Sequence, residues 1–179
     1  MHIAYFISSH GFGHAARAFA VMEALANEND ICFHIFTETP RWFFEREARF
    51  EFQYYRVKTD IGLVQKSPFE EDIPSTLDKL QTYFPISQSF IDETTSLLQG
   101  KNISLVICDI SLLGVQIASR LKVPSVLIEN FTWDWIYDFY QLQYPDFGKI
   151  INYLKAEYAK VDYRIQTIPM CEPIINSIE

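Results

Sequence analysis

Cysteine is scarce in this sequence of 179 residues: there are three, Cys32, Cys108 and Cys171, widely spaced and with no Cys-x-x-Cys pair. That count and spacing exclude a disulfide framework and point to a reducing compartment. Two of the three lie in apolar runs, where a reduced cysteine behaves as a small hydrophobe. No apolar run approaches the roughly 18 residues that cross a bilayer, and Met1–Ile7 lacks the basic segment of a signal peptide, so a cytoplasmic location is expected. Positive charge is also in deficit, with 15 Lys and Arg against 23 Asp and Glu and a formal net charge of -8. No basic stripe is available to displace counterions from nucleic acid, and no nucleic-acid partner is expected. Walker A, G-x-S-x-G and H-E-x-x-H motifs are missing, and no Asp, Glu or His cluster shows ligand spacing, so no metal is expected.

What remains is the composition of a folded domain, 49% hydrophobic and 16% aromatic. Apolar runs at Ile3–Ser8, Ile31–Thr37, Phe50–Val57, Ile103–Cys108, Ser125–Glu129 and Tyr163–Ile168 read as strands. Helical stretches separate most of them: His14–Asn27, a short one holding Trp42, Phe43 and Phe44, a long or broken one over Ser75–Gly100, Leu112–Leu121, and an interrupted one over Asn130–Lys160. Lys58–Ser75 reads as a long loop, a length more often functional than idle. Strands alternating with helical crossovers predict an α/β, doubly wound parallel sheet of Rossmann-like type. No helix follows the last strand before Ile178-Glu179, so residues 1–179 are expected to be one domain of a longer polypeptide.

In such a sheet ligands bind outside the carboxyl ends of the strands, and the first strand exits into His10-Gly11-Phe12-Gly13-His14. Gly11 and Gly13 let backbone approach a ligand. The helix that follows offers unpaired N–H groups for a phosphate. Histidine there suits general-base work near neutral pH. The same residues, Gly11-x-Gly13-x-x-Ala16 with Glu38 further on, fit a dinucleotide fingerprint, so an NAD-dependent oxidoreductase stays open. Asp109, at a later strand end, either orients a histidine or caps the next helix. Arg17 either pairs with a phosphate or is solvated. Within Glu129–Tyr137, Asn130, Trp133 and Asp134 are candidates for sugar stacking and hydroxyl binding, while Trp135, Ile136 and Phe139 read as core. His34 reads as a packed strand histidine.

Several segments together resemble one family. Ser9–Arg17, Asp60–Gln65, Leu105–Asp109, Asn130–Tyr137 and Tyr163–Pro173 are similar, in order, to the glycosyltransferase-like N-terminal region of plant L-arabinokinase and its bacterial relatives. The resemblance implies the N-terminal, acceptor-side half of a glycosyltransferase-B (GT-B) fold, with a C-terminal donor-binding domain beyond this chain. It implies an inverting, nucleotide-sugar-dependent transfer to a hydroxyl acceptor. By the family's pattern His14 is the base and Asp109 its orienter. From the residues themselves, His10, Gly11, Phe12, Gly13, Arg17, Asn130, Trp133 and Asp134 are the candidates for contact with the diphosphate or acceptor. No cofactor is expected to bind this domain alone. A catalytically silent sugar or sugar-nucleotide binder is the alternative from another class.

Overall fold

A computed structural model describes residues 1–173; the stretch before Ile178-Glu179, read above as lacking a closing helix, lies outside the described residues. The first strand, β1 (His2–Ile7), is central. Alternate side chains point to opposite faces of a strand, so Ala4 and Phe6 join one apolar cluster while Ile3, Tyr5 and Ile7 join a second on the other face. Both faces are covered, which is why the strand reads as a nearly unbroken apolar run.

Helix α1 (Phe12–Glu28) follows, and β2 (Cys32–Thr37) pairs in parallel with β1. The short α2 (Trp42–Glu45) leads to β3 (Glu51–Arg56) at the sheet edge. The expected loop is shorter than the sequence implies. It holds a small antiparallel hairpin, β4 (Gln65–Ser67) and β5 (Glu70–Glu71), and α3 (Ile73–Tyr83) starts before Ser75. Asp72 sets that start by accepting the Ser75 N–H at 3.0 Å, with Pro74 in the first turn where its missing N–H costs nothing.

After α4 (Gln88–Ser96), β6 (Ile103–Asp109) returns to the other side of β1, with Ile7 opposite Asp109. Then come α5 (Leu112–Leu121), β7 (Ser125–Glu129), α6 (Trp133–Gln141), α7 (Phe147–Tyr158) and β8 (Tyr163–Gln166). The six-stranded sheet has the order β3-β2-β1-β6-β7-β8, all parallel. With the hairpin set aside this is the doubly wound order 3-2-1-4-5-6, whose switch point lies between β1 and β6. Residues of α1 and α2 pack on one face, residues of α3 to α7 on the other.

One expectation of the core fails. Trp135 is half-buried and Phe139 is 67% exposed, while Trp133 and Tyr137 are buried. Two polar anchors set the rotation of α6: Trp133 Nε1 donates to Asp60 Oδ2 (3.0 Å) and Tyr137 Oη donates to the Gly62 carbonyl (3.0 Å). Trp135 and Phe139 meet edge to face on the outer side, 4.7 Å between ring centroids. Periodicity alone cannot choose between two aromatic faces of one helix.

Packing is close where α5 crosses β6 and β1. A Cβ built at Gly114 would lie 2.5 Å from Cys108 Sγ and 2.9 Å from Phe6 Cβ. Gly114→Ala is therefore expected to destabilise the fold by about 1–3 kcal/mol, read as a lower midpoint in urea unfolding; an unchanged midpoint would show that the helix can slide outward without cost.

Candidate functional site

Asp109 ends β6 with no solvent exposure, so its carboxylate must be fully partnered. His14 Nδ1 lies 2.7 Å from Oδ1. Arg17 closes the other side as a fork, Nε on Oδ2 and Nη2 on Oδ1, both at 2.7 Å. His14 and Arg17 are three apart on α1 and share one face near its start. Asp109 does not cap α5; Ser111 holds that position and no side chain caps it.

The backbone just after Asp109 is strained. Ile110 has φ +47°, a conformation that a β-branched residue rarely adopts, at a cost of roughly 1–3 kcal/mol. The neighbours fix it: Ile110 N–H donates to the Ile128 carbonyl (3.3 Å), and Tyr158 Oη donates to the Ile110 carbonyl (2.7 Å). The kink sits where the carboxylate turns toward α1.

With both Asp109 oxygens accepting from a guanidinium, the carboxylate is ionised and His14 Nδ1 must be the protonated nitrogen, donating to it. Nε2 then carries the lone pair, and it has no partner among the described residues. The arrangement is that of a base and its orienter. Arg17 is not free for a ligand: beyond Asp109, Nη1 donates to Asn130 Oδ1 (2.8 Å) and Thr167 Oγ1 (3.2 Å). Burial works against its charge, but bonding to Asp109 outweighs that and raises its pKa above the ordinary value.

A second layer comes from the loop after β3. Thr59 Oγ1 donates to the Ile7 carbonyl (2.8 Å), drawing the loop over the end of β1 and burying Asp60. Asp60 accepts from Trp133 and from the Ser8 hydroxyl, yet burial dominates and its pKa is raised. His10 stands edge-on to Trp133, 5.2 Å between centroids, and packs on Gly62, where a Cβ would approach its Nδ1 to 2.6 Å. Gly62 also has φ +65°, so both space and backbone require glycine. Burial lowers the His10 pKa against the pull of Asp60.

The structure thus brings together His14, Asp109, Arg17 and Asn130 in one network, and His10 and Trp133 in another. Trp133, at 2% exposure, has no face free for stacking on a sugar, and Asp134 is buried with Oδ1 unpaired. Gly11 (φ +84°) makes the turn, and its N–H is spent on the Ser9 carbonyl (2.9 Å). No side chain caps α1, which leaves the Phe12 and Gly13 N–H groups unpaired among the described residues. Phe12 is exposed and stacks on Phe43 at 5.4 Å. It borders an open cleft of about 480 Å³ that Ser9, Gly11, Glu38, Thr39, Pro40 and Arg56 complete. Sequence reasoning missed Ser8, Thr59 and Thr167 as site residues; each is a lone hydroxyl whose role depends on a strand or loop far along the chain.

The dinucleotide fingerprint loses its physical basis. Its third small residue permits close packing of helix on strand, but Ala16 is exposed, and Ala15 and Ala18 make that contact.

The fold is that of a Rossmann-like half of a GT-B fold. Acinetobacter baumannii MurG superimposes with TM-score 0.55 at 12% identity, covering 99% of this chain and 44% of that one. CalG4, the calicheamicin glycosyltransferase, gives 0.58 at 14% identity over 93% and 48%, and SsfS6, a Streptomyces sp. SF2575 glycosyltransferase, 0.57 at 16% over 97% and 52%. In sequence the chain resembles the L-arabinokinase of Arabidopsis thaliana, 30% identical over 137 residues, which is 75% of this chain and 13% of that protein. It thus spans about half of the structural neighbours and a small part of the sequence relative. No protein-family model matches. Among the described residues no helix is long and apolar enough to cross a membrane.

Two measurements probe the buried charges. Arg17→Ala strands Asp109 and is expected to cost about 3 kcal/mol, the lower end of the range for breaking a buried pair because Arg17 is partly exposed; equal stability in denaturant would mean that Asp109 needs no cation. For Asp60, a raised folded-state pKa means that ionisation weakens the fold as pH rises from its unfolded pKa to its folded one. Asp60→Asn removes that loss, so its stability relative to the parent should increase with pH from about 4 upward and level off once folded Asp60 has ionised. A difference that is flat with pH contradicts the assignment.

Proposed function

We propose that this chain is the acceptor-side domain of an inverting, nucleotide-sugar-dependent glycosyltransferase, and that His14 is its general base. The observation that carries the reading is the His14–Asp109 pair at the β1/β6 switch point, with Nδ1 committed to the carboxylate and Nε2 unengaged. In the reaction, Nε2 takes the proton of an acceptor hydroxyl while that oxygen bonds to the anomeric carbon. The bond from that carbon to the donor diphosphate breaks on the opposite face, and the leaving diphosphate keeps the electron pair. Asp109 stabilises the imidazolium that results. The unpaired N–H groups of Phe12 and Gly13, at the positive end of the α1 dipole, suit the negative charge on the leaving group. Arg17 is a positioning residue, bound to Asp109, Asn130 and Thr167. His10, with its depressed pKa, is a neutral donor or acceptor beside the base. The cleft bordered by Phe12, Glu38 and Arg56 suits an acceptor with one flat apolar face and several hydroxyls. The donor domain and the cytoplasmic setting belong to the same proposal.

A sugar-binding role without turnover is the second reading. It draws on the sequence relative, which is named for a sugar-kinase activity and not for sugar transfer. Titration of the full-length protein with nucleotide sugars, followed by assay of released nucleotide, separates the two. For the enzyme, His14→Ala should lower turnover by about 10²–10⁴-fold with the fold intact by circular dichroism; undiminished turnover would falsify the assignment of the base. Saturable NAD(H) binding by this chain would instead restore the oxidoreductase.

A further inference from the structure

At the opposite end of the sheet, the pairing of β1 with β2 creates a cluster that no local spacing announces. His2 lies opposite Cys32 in the parallel register, and Ala4 opposite His34, so all three side chains share one face. Their ligand atoms, one nitrogen from each histidine and the Cys32 sulfur, all fall within 4.8 Å of one another. His2 Nδ1 and His34 Nε2 are 3.0 Å apart. Two nitrogens on one tetrahedral ion, each about 2.0–2.1 Å from it, sit only slightly further apart than that, so a small ring rotation admits the ion. The cluster lies at the amino ends of the strands, about 17 Å along β1 from the His14 loop. It plays no part in the chemistry proposed above.

We propose that His2, Cys32 and His34 bind a zinc-type divalent ion, with the Glu51 carboxylate as fourth ligand. Thiolate with imidazole is the donor set that late first-row ions prefer over magnesium or calcium. Glu51 begins β3 opposite Cys32 in the parallel register, and its carboxylate is near enough to add to the rise in the thiol's pKa that burial causes. Thiolate and carboxylate together neutralise a doubly charged ion. Outside the ligands, His34 Nδ1 approaches the Tyr55 hydroxyl (3.4 Å), and that hydroxyl donates to Gln53 Oε1 (2.7 Å). This is the outer hydrogen bond that ligand histidines usually have. Two positive charges near the cluster oppose a cation, the Lys101 ammonium and the N-terminal ammonium of Met1. Four protein ligands leave no position for substrate, so the ion's role is to staple β1, β2 and β3 at their starts.

Cobalt(II) titration of the untagged, chelator-treated chain tests this. The expected result is one cobalt per chain, with intense visible bands of a tetrahedral ion and a sulfur-to-cobalt charge-transfer band, all displaced by zinc. Cys32→Ser should abolish the charge-transfer band, while Cys171→Ser should leave it intact. His2→Gln changes a half-buried position and tolerates the fold best. It should weaken binding by more than the roughly 10–100-fold loss that follows removal of a group merely supporting a ligand. The proposal is overturned by failure to bind one cobalt per chain, by a charge-transfer band that depends on Cys171, or by His2→Gln affinity equal to that of the parent. That last measurement decides the matter even if Cys32→Ser does not fold.

Discussion

A carboxylate shut away from water dictates much of this architecture. Asp109 can remain ionised without exposure only if cations or donors meet both of its oxygens. Arg17 and His14 do so from one turn of α1, and only because β6 lies directly beside β1 with Ile7 opposite Asp109. The order of the sheet, the early start of α1 after Gly11 and the left-handed kink at Ile110 all serve that contact. The guanidinium fork also keeps the carboxylate ionised, and through it assigns the imidazole's proton to Nδ1.

Much of the fold was legible because buried strands and helices write themselves as periodic apolar runs. Leu112–Leu121 and Ser125–Glu129 match residue for residue, and the parallel sheet follows from the alternation. The His14–Asp109 pair was legible as two strand-end residues, but their contact depends on which strands are neighbours, which local pattern does not encode. The same limit hid the partners of Arg17: Asn130 and Thr167 lie 113 and 150 residues along the chain. The Trp133 ring reads from the sequence as a sugar platform; in the structure it is buried, and its indole N–H fastens α6 to the loop that carries Asp60.

The sheet has chemistry at both ends, with different characters. At the carboxyl ends the groups are held by a charge network and a strained backbone, and one imidazole nitrogen is left unengaged. At the amino ends two imidazoles and a thiol meet through strand register alone. Both clusters depend on β1, which supplies His2 at one end and leads into His14 at the other. A shift of register by one residue would turn His2 to the opposite face and disperse the second cluster.

The loop after β3 has fixed ends and a free middle. Thr59 and Asp60 are tied to β1 and α6, and Asp72 fastens the start of α3, but the intervening hairpin stands in solvent with Phe69 98% exposed at its tip. For protein engineering this makes residues 67–70 a natural splice point. A fluorescent label, an epitope or a whole guest domain could be inserted there while the anchors on either side keep their grip.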